Sequence, residues 1–162
     1  ASLAFKGKSQ NGLYGDATEE LDWSMGVLLE TLKEEGLDQN TLVIFTSDNG
    51  ADEHFGGTNR PLRGQKGTTY EGGFRVPCIM RWPAKIPAGQ ETDNLVTSMD
   101  FLPTLAHYCG YAVPSDRVID GHNVSGILET VQDWHIYWQK QTEDMEKNGN
   151  HKRFLLSWEN LY

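Results

Sequence analysis

Two polar residues that could bind a metal ion lie just beyond an uninterrupted apolar run, separated from it by Thr46 and Ser47. Asp48 and Asn49 come after Leu-Val-Ile-Phe at residues 42–45 and are followed by Gly50. An Asn-Gly pair in this position is also typical of a plain turn. Carboxylate and amide oxygens, however, are the ligands that a hard cation prefers. The pattern therefore allows either a simple turn or a metal site at the end of a strand.

A second stretch with the residues for chemistry surrounds Lys66, which lies between Gly64 and Gly67. Glycines at these positions let the backbone approach a ligand closely. A phosphate-binding P-loop would need Gly-Lys-Ser/Thr directly before a helix, but Gln65 precedes the lysine and Gly67 follows it. The spacing therefore argues against a nucleotide site.

The elements expected around these residues belong to an α/β sheet. Apolar residues at helical spacing predict a helix over residues 16–35, capped by Asp16 or Thr18. Residues 41–46 predict a strand buried on both faces, as in a parallel sheet, and residues 76–82 predict the next strand. Ligands of open α/β sheets bind beyond the carboxyl ends of the strands, where Asp48 lies.

Other segments complete the expected organisation of the chain. Residues 47–73 are long for a loop in a compact domain, which is typical of functional loops. We expect a helix over residues 100–108 and a loop over residues 112–126. A short strand is possible at residues 95–97, and another is expected at residues 153–158.

Four motifs occur in order along the chain. They are Leu-Val-Ile-Phe-Thr-Ser-Asp-Asn-Gly at residues 42–50, Leu-Arg-Gly-Gln-Lys-Gly-Thr-Thr-Tyr-Glu-Gly-Gly-Phe-Arg-Val-Pro at residues 62–77, Asp-Phe-Leu-Pro-Thr-Leu at residues 100–105, and Asp-Gly at residues 120–121. Together they resemble the sulfatase family, of the arylsulfatase type, within the alkaline-phosphatase superfamily. The resemblance implies an α/β fold, part of a mostly parallel sheet flanked by helices and truncated at both ends.

The same resemblance implies a domain organisation. Residues 1–128 would be the C-terminal portion of a sulfatase catalytic domain. Residues 129–162 would be a linker and the start of a small C-terminal subdomain.

The resemblance also implies roles for particular residues. Asp48 and Asn49 match the family's pair that binds calcium, or sometimes magnesium. Lys66 matches the lysine that contacts the sulfate and helps to stabilise the leaving group. His54 is a candidate for the substrate pocket, although a solvent-facing loop histidine is the alternative. Glu71 and Arg75 fall in the same signature, and we expect them to form a structural ion pair.

The family's nucleophile is absent from this sequence. Sulfatases use a formylglycine made from a Cys or Ser in a Cys-x-Pro/Ala-x-Arg context, which neither Cys78 nor Cys109 has. We expect both to be free, buried thiols. The formylglycine, two further metal-binding aspartates and a sulfate-binding histidine are expected upstream of Ala1. The chain is therefore expected to supply part of the site and to be inactive alone.

Composition narrows the expected partners. The 162-residue chain is 38% hydrophobic and has a net charge of −9, which argues against a nucleic-acid partner. No apolar run approaches the ~20 residues needed to cross a bilayer. The family suggests a sulfated small molecule or glycan as substrate and a periplasmic, secreted or lysosomal location. The rest of the parent chain, or a second copy, is a further expected partner.

Two other functions stay open from the sequence. One is a phosphonate monoester hydrolase or phosphodiesterase of the same superfamily, which shares much of the scaffold. The other is a non-catalytic fragment that acts only in binding or assembly.

Overall fold

The computed structural model describes residues 1–130, which belong to two compact units. The first unit covers residues 1–84 and contains both predicted site motifs, and the second begins at Lys85. The predicted strand at residues 153–158 and nearly all of the proposed C-terminal subdomain lie outside the described residues.

Helix α1 spans Gly12–Glu34 and begins four residues before the predicted start of the helix. Neither predicted cap was right. Thr18 lies inside the helix, where its hydroxyl donates to the Tyr14 carbonyl oxygen at 2.9 Å. Such a bond back to the preceding turn is a common alternative for a helical threonine.

Asp16 instead anchors the N-terminal loop. Its carboxylate accepts hydrogen bonds from the backbone N–H groups of Gly7, Lys8 and Ser9 at 2.7, 3.1 and 2.8 Å. The side chain is only 1% exposed. The Gly7 and Ser9 hydrogen bonds hold the pKa of Asp16 below its ordinary value, because they favour the charged carboxylate. The loop therefore folds back onto α1 around one ionised group.

The sheet of the first unit consists of strands β1, Val43–Thr46, and β2, Cys78–Arg81. They lie within the two segments predicted as strands, but they pair antiparallel, with Val43 opposite Arg81 and Thr46 opposite Cys78. The sequence predicted a mostly parallel sheet; such sheets often carry an antiparallel strand at one edge. Residues 43–45 are half-buried, so the expectation of burial on both faces was wrong for the described residues.

The end of β2 is fixed to a short turn that precedes β1. Trp82 is 8% exposed, and its indole Nε1 donates to the Gln39 carbonyl oxygen at 3.0 Å. The neighbouring Arg81 pairs with Asp38 at 3.4 Å. These contacts stabilise the strand pair at the end away from Asp48.

The second unit contains helices α3, Phe101–Tyr108, and α4, Ser125–Glu129, whereas the four-residue helix α2, Glu71–Phe74, belongs to the first unit. The predicted helix over residues 100–108 is thus confirmed, whereas residues 95–97 form no strand. Asp100 accepts the backbone N–H groups of Thr97 at 2.7 Å and of His122 at 2.8 Å. These bonds join the start of α3 to the loop before α4.

Cys78 and Cys109 are both free, as predicted, but both are exposed rather than buried. Among residues 1–130, no helix combines the length and apolar character that a membrane crossing requires.

Candidate active site

Asp48 and Asn49 lie in a turn immediately after β1, as the sequence predicted. The Ser47 hydroxyl donates to the Asn49 carbonyl oxygen at 2.8 Å, which tightens this turn. Asp48 is exposed and Asn49 is half-buried. Within residues 1–130, neither side chain makes a hydrogen bond or ion pair. Their oxygens therefore remain available for a ligand.

The turn that carries Lys66 is tied to the same strand end. The Lys66 backbone N–H donates to the Ala51 carbonyl oxygen at 3.1 Å. Beside it, the Gln65 side-chain oxygen accepts the Glu53 N–H at 3.2 Å. The Lys66 side chain is exposed and has no hydrogen bond or ion pair among the residues the structure describes. The fold thus brings the backbone of Lys66 against the segment that follows the Asp48 turn.

Glycines allow the two motifs to pack backbone against backbone. The Gly50 N–H donates to the Gly73 carbonyl oxygen at 3.0 Å. A Cβ at Gly50 would overlap the carbonyl oxygen of Gly72, and one at Gly72 would overlap that of Gly64. Gly50, Gly72 and Gly73 are all buried. Close packing therefore explains these three glycines, with no ligand required at their positions.

His54 lies in a short 3₁₀ turn, Glu53–Phe55, between the two motifs. Its Nδ1 is 3.0 Å from the Asp52 carboxylate, which also accepts the His54 backbone N–H at 3.0 Å. These hydrogen bonds, together with the positive charge of Lys66, lower the pKa of Asp52. The His54 side chain is 80% exposed, so its place in a substrate pocket stays a prediction.

The predicted ion pair between Glu71 and Arg75 is present across the four-residue helix α2, Glu71–Phe74. The Arg75 Nη1 atom lies 3.8 Å from the Glu71 Oε2 atom, and both side chains are more than 60% exposed. An exposed pair at this distance contributes little to stability. The backbone contacts of the glycines therefore hold this loop more firmly than the ion pair does.

Two arrangements at the site were not predicted. The Asn59 side chain accepts the Ala51 N–H at 2.7 Å and donates to the Ala51 carbonyl oxygen at 2.8 Å, which fixes the segment after Asn49. Arg63 donates through Nη2 to the Tyr70 hydroxyl oxygen at 2.7 Å. No periodicity or spacing marks either arrangement, because each one joins residues from different parts of an irregular loop.

The donor chemistry of Asp48 and Asn49 fits calcium, but these residues are too few to hold it alone. Calcium takes about 6–8 oxygen ligands. Residues 1–130 contain no group of three or more His, Cys, Asp or Glu side chains that could hold a metal. An ion at Asp48 would therefore need further oxygen ligands, from other protein groups or from water.

Comparisons with known proteins agree with the motifs. The sulfatase family model matches residues 4–111. Human steryl-sulfatase is 47% identical over 137 residues, which cover 80% of this chain and 24% of that protein. The N-acetylgalactosamine-6-sulfatase of Canis lupus familiaris is 48% identical over 169 residues, covering 100% of this chain and 32% of the relative. The chain thus spans about a quarter to a third of the length of these relatives.

A solved structure supports the same assignment. The crystal structure of Ps i-CgsB in complex with k-i-k-neocarrahexaose matches with a TM-score of 0.70 and 37% identity, over 76% of this chain and 27% of that one. The likeness confirms the α/β fold class, of the alkaline-phosphatase type. Family model, relatives and fold agree, and the chain belongs to the sulfatase family.

Proposed function

We propose that the full-length protein hydrolyses sulfate esters and that this chain supplies part of its metal and sulfate site. The observation that carries the proposal is the grouping of three unpartnered functional groups on one loop cluster. The carboxylate of Asp48, the amide of Asn49 and the ammonium of Lys66 make no hydrogen bond or ion pair within residues 1–130. Their backbones are nevertheless joined through the contacts of Gly50 and Ala51.

The three residues have different roles in this proposal. Asp48 and Asn49 hold a calcium ion, with magnesium as the alternative, through their side-chain oxygens. When bound, the ion would stabilise negative charge on the sulfate and on the nucleophile. Lys66 donates to the ester oxygen and stabilises the charge that develops there as the leaving group departs. The exposed His54 is proposed to contact the substrate beside Lys66.

The nucleophile in this proposal is a hydrated formylglycine from another part of the protein. Neither Cys78 nor Cys109 has the required sequence context. The proposed substrate is a sulfated small molecule or glycan. The names of the relatives support both classes, since one is a steryl-sulfatase and the other an N-acetylgalactosamine-6-sulfatase. The structural neighbour was crystallised with an oligosaccharide, which supports the glycan class.

The test is a comparison of ester classes with the full-length protein. We expect turnover of a chromogenic aryl sulfate, lost on treatment with a chelator and restored by calcium. A chromogenic phosphodiester and a phosphonate monoester should be hydrolysed at least ~10-fold more slowly, since differential transition-state binding sets such preferences. A preference for either phosphorus ester would favour the phosphodiesterase or phosphonate hydrolase. Turnover of none of the three would favour a non-catalytic role.

A further inference from the structure

Arg63 is an exposed cation whose side chain is held in one position. Its guanidinium carbon lies 3.7 Å from the centre of the Tyr70 ring, and Nη2 donates to the Tyr70 hydroxyl oxygen at 2.7 Å. An unrestrained arginine loses rotamer freedom when it binds a ligand, whereas a stacked guanidinium has already lost it. Arg63 is therefore preorganised for binding at the surface of the loop.

Within the described part of the chain, no carboxylate pairs with Arg63. Three other arginines of the described residues pair with carboxylates: Arg75, Arg81 and Arg117. Arg63 instead contacts the neutral phenol of Tyr70, and its remaining N–H groups have no partner within residues 1–130. Residues 54–70 contain Arg60, Arg63 and Lys66 but no Asp or Glu, in a chain of net charge −9. This loop thus concentrates positive charge on an acidic protein, and of its three cations only Lys66 acts on a neighbouring carboxylate within residues 1–130, that of Asp52.

Arg63 lies at the base of the turn that carries Lys66. The Gly72 N–H donates to the Arg63 carbonyl oxygen at 2.8 Å, which closes this turn. Gly72 in turn packs against Gly50, two residues after Asp48. Direct contacts therefore link Arg63 to the strand end that carries the proposed metal ligands, and place it on the same loop cluster as Lys66.

We propose that Arg63 binds a second anionic group of the substrate, beside the sulfate ester that Lys66 contacts. A guanidinium recognises a carboxylate or a sulfate through two parallel hydrogen bonds. The preferred substrate is thus an acidic glycan with a second sulfate, or a uronate carboxylate, close to the cleaved ester. This inference rests on the proposed function. It favours the sulfate esters of acidic glycans over those of neutral alcohols such as sterols.

The test compares substrates that differ in charge, using the full-length protein. The three are a monosulfated disaccharide, a disulfated disaccharide, and a monosulfated disaccharide with a uronate. We expect Arg63→Ala to raise KM about 10- to 100-fold for a dianionic substrate, as for the loss of hydrogen bonds to a charged group. KM for the monosulfated disaccharide should change less than about twofold, and kcat should stay nearly constant for all three. An increase confined to one dianionic substrate would identify whether sulfate or carboxylate is bound.

Two variants separate recognition from loop structure. Tyr70→Phe keeps the ring but removes the hydroxyl, and should raise the dianionic KM by only about 2- to 5-fold. Arg60→Ala removes a cation of the same loop that has no side-chain contact within the described residues, and should leave the ratio of the KM values unchanged. If Arg63→Ala does not fold, Arg63→Lys keeps the charge without the planar fork and should still raise the dianionic KM.

Some outcomes would overturn the inference without touching the proposed function. Equal KM changes for the mono- and dianionic substrates would mean that Arg63 is structural. No change for either substrate would mean that Arg63 does not contribute to substrate binding. Calorimetric binding of the disulfated disaccharide provides an independent measurement. If the wild type hydrolyses no sulfate ester, the proposed function is wrong. Binding alone then tests Arg63: the wild type should bind the disulfated disaccharide more tightly than the monosulfated one, and Arg63→Ala should lose this preference.

Discussion

Three polar side chains at the candidate active site have no hydrogen-bonding partner among residues 1–130, although the backbone that carries them is well hydrogen-bonded. Asp48, Asn49 and Lys66 contribute no side-chain hydrogen bond to the described fold. Residues that serve only structure behave differently here: the Asn59 amide makes two hydrogen bonds to one backbone unit. Polar side chains without a structural role beside such residues are typical of a ligand-binding site. Substitution of Asp48, Asn49 or Lys66 should therefore lower activity with little effect on stability.

For Asp48, we expect Asp48→Ala in the full-length protein to abolish turnover and weaken metal retention, because a carboxylate ligand is lost. Metal content after dialysis and turnover of an aryl sulfate measure the two effects. Asp22→Ala, which removes an exposed carboxylate from α1, is the matched control. Unchanged metal content and turnover in the Asp48 variant would exclude it as a ligand.

For Lys66, we expect Lys66→Ala to lower kcat by about 10²–10³, by analogy with the loss of one oxyanion donor. The melting temperature should stay nearly constant, because alanine keeps the backbone N–H that bonds to Ala51. Lys33→Ala, in the last turn of α1, is the control for loss of a lysine. A variant that melts early yet keeps its turnover would show that Lys66 is structural.

At the level of elements, packing of backbone against backbone shapes the loop that joins β1 to β2. Gly50, Gly72 and Gly73 bring the motif after β1 into contact with α2. In the N-terminal part, one carboxylate, Asp16, organises the loop before α1. Both arrangements depend on single residues, so each can be tested with one substitution.

The glycine contacts predict opposite effects for two Gly→Ala substitutions. Gly72→Ala should destabilise the protein by about 1–3 kcal/mol, because its Cβ would overlap backbone atoms that cannot easily move. Gly26→Ala, in the interior of α1 with open space around it, should stabilise by about 0.5–1 kcal/mol through helix propensity. Denaturant unfolding measures both. Equal effects of the two substitutions would contradict the packing argument.

Asp16 predicts a pH dependence of stability. Hydrogen bonds to its carboxylate lower the folded-state pKa of Asp16 below the ordinary value of 3.8. Its contribution to the free energy of unfolding is therefore present above pH 3.8 and is lost as the pH falls through the folded-state pKa. The Asp16→Asn variant should therefore have a melting temperature several degrees below that of the wild type near neutral pH. On acidification, its melting temperature should fall less than that of the wild type. Thermal melts between about pH 6 and pH 3 measure this, with Asp22→Asn as control. Parallel curves for wild type and Asp16→Asn would contradict it.

At the scale of the whole molecule, the described residues bury few large apolar side chains. Trp82 and Val124 are buried, one in each unit, whereas residues such as Leu3, Trp23, Phe74 and Leu95 are more than half exposed. The candidate metal site likewise has only two proposed ligands within residues 1–130. Both the apolar surface and the site would be completed by contacts that the described residues do not make among themselves.

The isolated 162-residue chain is therefore expected to be inactive and to associate. It has no cysteine in a formylglycine context, and covalent catalysis fails without its nucleophile. Exposed apolar side chains and unpaired strand edges favour association. Assay of the purified chain on an aryl sulfate, with light scattering to record its size, measures both. Turnover above background from a monomer would contradict the expectation.

The sequence by itself determined the family, the fold class and the main elements of this protein. The motifs around Asp48 and Lys66 are contiguous, and the apolar runs of β1 and α3 are local, so both can be identified without a structure. Only the tertiary structure decided the antiparallel pairing of β1 with β2 and the role of Asp16 as an anchor rather than a cap. It also paired Arg63 with Tyr70. Strand direction and side-chain contacts across a loop depend on where distant segments meet, which local periodicity does not encode.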